Sequence, residues 1–109
     1  MPRVNVPVVQ FSRAGTVIPA AQAGDPVNNH YVDNDGRIGI IVENTGSTVP
    51  RTVTFRLSRT VDGQAVTPRA ETIPVGEQQG FGPFDVSEYG GKMKIDVDNA
   101  ELKLTVVRI

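Results

Sequence analysis

His30 is the sole histidine in this chain of 109 residues, and it is the first side chain that invites a chemical role. An imidazole acts as a general base when an acid orients it and a serine stands within reach. Here it falls beside Asn28, Asn29 and Tyr31, in a stretch that reads as a loop, and no Gly-x-Ser-x-Gly nucleophile elbow accompanies it. In that company it reads as a polar surface residue. A second candidate is Asp33-Asn34-Asp35-Gly36, whose acids suggest a calcium loop. That chemistry needs alternating ligands before the glycine and an acid six residues after it. The acids lie on a short connection and the required position holds Val42. The tetrapeptide therefore reads as a turn in which Asp and Asn accept backbone hydrogen bonds and Gly36 takes positive φ.

Gly80-Phe81-Gly82-Pro83-Phe84 is glycine-rich, but a phosphate cradle needs a following Lys-Ser/Thr and a helix start, and neither follows. It reads as a bend whose phenylalanines fill the core or cap its end. Gly90-Gly91 beside Tyr89 reads as another turn. The remaining acids are dispersed, and no spacing argues for two carboxylates flanking a glycosidic bond. There are no cysteines, which excludes disulfides, thiolate chemistry and Cys-ligated metal. The chain is expected to be no enzyme and to hold no catalytic residue, metal or cofactor.

The elements that would position any site are strands. Val, Ile and Thr are abundant, Gly and Pro punctuate them, and no window carries a sustained helical stripe. A helical turn fits only near Asp85-Val86-Ser87-Glu88-Tyr89. Ile38, Ile40 and Val42 alternate with Arg37, Gly39, Ile41 and Glu43. Asn44-Thr45-Gly46-Ser47 then turns the chain, with Gly46 supplying positive φ, and Val53, Phe55 and Leu57 resume the inward phase. Asp62-Gly63 marks a tight hairpin. Thr72-Ile73-Pro74 ends a strand that is an edge or stops there, because Pro74 donates nothing to a ladder. The C-terminus reads as the clearest hairpin: Met93, Ile95 and Val97, a turn at Asp98-Asn99-Ala100, then Leu102, Leu104 and Val106. Short strands at regular spacing predict an all-β fold, a single antiparallel β-sandwich, immunoglobulin-like or jelly-roll-like, over residues 12–109.

Residues 1–11 are less regular. Val4, Val6 and Val8 alternate with Asn5, Pro7 and Val9, and Pro7 interrupts the donors. The segment reads as an edge strand of the core or as an extended N-terminal arm that adds to a neighbouring chain. As an arm it makes Arg3, Val4, Val6, Val8, Phe11 and Arg13 the candidate protein interface, and its removal should leave the domain folded. The loop from Pro19 to Asn29 is the second candidate. The net charge of −1 gives no basic excess for nucleic acid, and no stretch suits a membrane span or surface. Met1-Pro2-Arg3 leads directly into polar-interrupted valines, so no secretory leader is read and a product made in the cytoplasm is expected.

The order of several short motifs adds a resemblance. Ser12-Arg13-Ala14-Gly15, Asn34-Asp35-Gly36-Arg37 and Val42-Glu43-Asn44 are followed by Thr60-Val61-Asp62-Gly63-Gln64-Ala65-Val66 and Ile73-Pro74-Val75-Gly76. Phe81-Gly82-Pro83-Phe84 and a closing Val106-Val107-Arg108-Ile109 complete the series. From Ser12 onward the chain resembles small β-proteins encoded in structural gene clusters of tailed bacteriophages, especially those infecting actinobacteria. The resemblance implies a capsid decoration (cement) protein on the virion surface, synthesised in the host cytoplasm. It would be bound to the major capsid protein and associated with itself as a trimer. No catalytic residues come with it. A head–tail joining or tail-tube component, or a carbohydrate- or cell-surface-binding sandwich, are the alternatives.

Overall fold

Where β-branched residues alternate with polar ones, the chain forms strands. The computed structural model describes residues 3–109. In order they are β1 (Val4–Asn5), β2 (Val8–Gln10), β3 (Gln22–Ala23), β4 (His30–Asp33), β5 (Ile38–Asn44) and β6 (Arg51–Arg56). They continue as β7 (Thr60–Val61), β8 (Gln64–Ala65), β9 (Arg69–Ile73), β10 (Gln78–Phe81), β11 (Lys92–Val97) and β12 (Leu102–Arg108). A single helical turn, α1 (Val86–Tyr89), precedes β11, and Asp85 caps it by accepting the Ser87 N–H at 2.9 Å.

The strands make an all-β sandwich. One sheet runs β1-β4-β11-β6-β9 and the other β10-β5-β12-β2, with β3 also bonded to β12. Alternation sets the faces: Ile38, Ile40 and Val42 of β5, Met93 and Ile95 of β11, and Leu102, Leu104 and Val106 of β12 are all buried in one core. At the centre of the second sheet Leu104 faces Val42 and Val106 faces Ile40. An aromatic cluster closes one end. Phe55 lies 5.2 Å from Phe81 and 5.1 Å from Phe84, and Phe84 lies 5.0 Å from Tyr89.

Four expectations need correction. First, the C-terminal hairpin is not one. β11 pairs with β4 and β6, whereas β12 pairs with β5, β2 and β3. Residues 98–101 are a corner between sheets. Alternation reports which side chains point inward, and two strands facing each other across a core alternate as cleanly as two neighbours in one sheet. The unit read over residues 38–57 likewise crosses between sheets, since β5 and β6 lie in different ones. Second, the sheets are mixed rather than purely antiparallel, because β1 joins β4 and β2 joins β12 in parallel. One extended segment supplies both strands, changing sheet at Val6-Pro7 with no turn between them. Third, Gly46 does not take positive φ. It leaves room for the Glu101 carboxylate, which Arg51 holds at 2.9 Å and which a Cβ there would push aside. Fourth, His30 is no surface loop residue: it opens β4 and is 1% exposed.

Other readings match the structure. Asp62 and Gly63 both take positive φ, 55° and 78°, in the tight turn of the separate β7–β8 hairpin. β9 ends at Ile73, immediately before Pro74, and is an edge strand. Gly36 adopts φ 87°.

Candidate functional site

The residues read as an N-terminal interface are brought together, but not on one free surface. Arg3 bonds to the Asp96 carboxylate at 2.6 Å and to the His30 carbonyl at 3.2 Å. Val4 is 36% exposed in β1, while Val8 packs against the core. Val6 is a core residue at 2% exposure, and so is closed to a partner while the segment keeps this position. Phe11, bonded through its N–H to the Arg108 carbonyl at 2.8 Å, and Arg13 are exposed. Residues 4–10 thus form the edge of both sheets of their own domain, and residues 1–2 of the segment lie outside the described residues. Removing residues 1–11 would take Val6 out of the core and an edge strand from each sheet. In the loop over residues 19–29, β3 is tied to β12 and Gly24 is buried against the Leu102 carbonyl, while Val27 is exposed.

The chemistry-bearing candidates are absorbed by the fold. In the connection from β4 to β5, the Asn34 side chain accepts the Gly36 N–H at 2.9 Å and Asp35 accepts the Arg37 N–H at 3.0 Å. The acids turn outward to separate cations, Asp33 to Lys92 at 2.6 Å and Asp35 to Arg108 at 3.2 Å. Among the described residues no three His, Asp or Glu side chains are grouped as metal ligands. His30 spends both ring nitrogens on backbone. Nε2 accepts the Asp25 N–H at 2.9 Å, and Nδ1 lies 3.2 Å from the Val4 carbonyl. Because Nε2 must accept, the ring is the neutral tautomer protonated at Nδ1. Burial holds its pKa below the ordinary imidazole value. The neighbouring Asp25 carboxylate accepts the Asn28 and Val27 N–H groups and the Asn28 amide, which lower its pKa.

The surface that the sequence reading passed over lies on the outer side of the second sheet. There the outward phase of β5 carries Gly39 and Ile41, β12 carries Thr105 and Val107, and β10 carries Gly80. Of these, Gly39, Ile41, Gly80 and Val107 line a shallow, mostly apolar groove of about 570 Å³ together with Phe81, Pro83 and Ile109. Thr105 and Val107 are nearly buried on this outer side, and Val9, Pro19 and Ala20 flank Thr105. A signal was present: Ile41, Val107 and Val9 are apolar residues in positions where a solvated sheet face would carry polar ones. The other sheet is unlike it. Its outer side bears Tyr31, Lys92, Lys94 and Arg56, and Asp96 is held between Arg3 and Arg56.

The free edge of the first sheet is guarded. At β9, Arg69 and Glu71 stand opposite the inward-facing Phe55 and Val53, and they bond to each other at 2.6 Å. The Arg69 guanidinium sits 5.7 Å from the Phe55 and Phe81 ring centres, covering the opening between the sheets. Inward-pointing charges of this kind oppose edge-to-edge association. No family model matches the chain, and no curated protein or solved structure does either.

Proposed function

We propose that the chain is a structural protein of a tailed-phage virion, a capsid decoration protein that binds the outer shell and stabilises it through protein–protein contacts. It is made in the host cytoplasm, acts as a trimer, performs no catalysis, and contacts neither nucleic acid nor membrane. One observation carries the reading: a 109-residue sandwich has one charged outer face and, on the other, an apolar groove floored by Ile41 and Val107 beside the exposed Ile109. Apolar sheet surface that a solvated face would not keep is what a protein contact uses. The ordered phage-like motifs from Ser12 to Ile109 agree with it. In this reading the apolar face meets the major capsid protein, with Phe11 and Arg13 at its margin and the residue 19–29 loop as a second contact. Many copies on a lattice then add weak contacts as effective concentration.

The carbohydrate reading is disfavoured by the aromatic residues themselves. Phe55 and Phe84 are buried and Tyr89 packs on the core, and the exposed Phe11 and the outward Tyr31 lie on different sheets, so no paired aromatic platform is presented. Co-sedimentation with shells assembled from the major capsid protein of the same genome tests the proposal. Saturable binding of a trimer supports it. Rings or tubes of the purified protein in negative stain, with no shell binding, would replace it by the head–tail or tail-tube alternative.

A further inference from the structure

We propose that His30 is an acid-released latch that holds the N-terminal edge segment in the sandwich. The latch follows from the geometry around the ring, whatever the outer faces bind. His30 bonds through its ring to two pieces of chain besides its own strand, β1 and the loop at Asp25. Its Nδ1–H donates to the Val4 carbonyl of β1, its Nε2 accepts the Asp25 N–H, and its own strand β4 pairs with β11. The loop it grips is itself a clip over β1. The Val4 N–H donates to the Asn29 carbonyl at 2.9 Å, and the Asn29 side chain accepts the Val97 N–H at 3.1 Å. Asn29 is held in the left-handed region at φ 62°, and its N–H bonds back to the Asp25 carbonyl at 2.8 Å. The clip is therefore a turn bonded through Asp25, Asn28 and Asn29, and one of its bonds ends on the imidazole.

Protonation at Nε2 sets an N–H against the Asp25 N–H at 2.9 Å, donor against donor, and puts a charge where the ring is 1% exposed. Of the charged groups that face the ring, Asp25 in the loop favours the cation and Arg3, ahead of β1, opposes it. Arg3 is in turn ion-paired with Asp96 of β11, and β11 sets the apolar Ile95 opposite His30. With the acceptor lost, residues 25–29 move and Val4 loses the Asn29 carbonyl. β1 then leaves the edge of β4 and draws Val6 from the core. β5 and β12 share a seven-residue register that does not involve this segment, and they stay paired.

The chain contains one histidine and no cysteine, so the side-chain titration between pH 7.5 and 5.5 belongs to His30 alone. Nitrogen-15 NMR of the full chain follows the imidazole and the amides together across that range. At pH 7.5 the expected result is a neutral ring protonated at Nδ1, with protected amides at Val4 and Val6. As the ring takes its second proton, exchange at Val4, Val6 and Asn29 should rise at least tenfold beyond the intrinsic effect of pH, while Ile40 and Leu104 keep their protection. The latch is overturned if Val4 and Val6 are unprotected at pH 7.5, or stay protected through the titration. Loss of protection at all amides together, or a ring that stays neutral until the whole domain unfolds, overturns it as well.

Discussion

At the scale of single residues, Val6 and His30 turn the N-terminal segment from an appendage into part of the sandwich. Val6 fills the core where the chain crosses between sheets, and its two γ-methyl groups have no water to return to. Val6→Ala should destabilise the domain by about 2 kcal/mol, the transfer of two methyl groups plus a small cavity. Urea denaturation measures it. His30 adds a pH dependence whose sign follows from its burial. The unfolded chain takes a proton near the ordinary imidazole value, while the folded ring resists it. In the window between the two values the unfolded state binds more protons, so stability rises with pH there. It is complete above the ordinary value and declines as pH falls through that value toward the lower folded one. The urea midpoint should drop between pH 7.5 and 5.5, and His30→Phe, which cannot charge, should remove that slope. The alternation of Val4, Val6 and Val8 already allowed an edge strand of the core, but the role of His30 was not legible in the sequence. A histidine beside two asparagines has the local look of a loop, and its burial comes from Val4 and Asp25, which only the folded chain brings to it.

At the scale of elements, strand positions and inward faces were readable because the period of two is local, whereas strand partners were not. Met93, Ile95 and Val97 and then Leu102, Leu104 and Val106 point inward as read, yet their strands belong to opposite sheets. The tight Asp62-Gly63 turn was legible because two consecutive positive-φ residues admit few alternatives. Two predictions belong here. Deleting residues 1–11 should destabilise the domain, seen as a strongly lowered thermal transition in circular dichroism, because both sheets lose an edge strand along with Val6. Replacing Arg69 and Glu71 together by threonine should leave the fold intact but unguard β9. Its free edge would then pair with other copies, and light scattering should show association at concentrations where the parent chain shows none.

At the scale of the whole molecule, the two outer faces differ in kind. One is a field of paired charges around Asp96, and the other is a shallow apolar groove floored by Gly39, Ile41 and Val107. The fold class was legible because composition and turn spacing belong to the entire chain. The candidate face was only latent, since Ile41, Val107 and Val9 lie on separate strands and their grouping depends on β5, β12 and β2 being neighbours. The claim on which the functional account turns is that this apolar face carries the binding. Ile41→Asp places a carboxylate at its centre and leaves every inward residue in place. Lys94→Glu alters the opposite sheet to the same degree and serves as the control. In co-sedimentation with assembled shells, the account predicts that Ile41→Asp, folded by circular dichroism, stays in the supernatant with affinity reduced at least tenfold, while Lys94→Glu pellets like the parent chain. A folded Ile41→Asp protein that pellets with the shells as the parent does would contradict it.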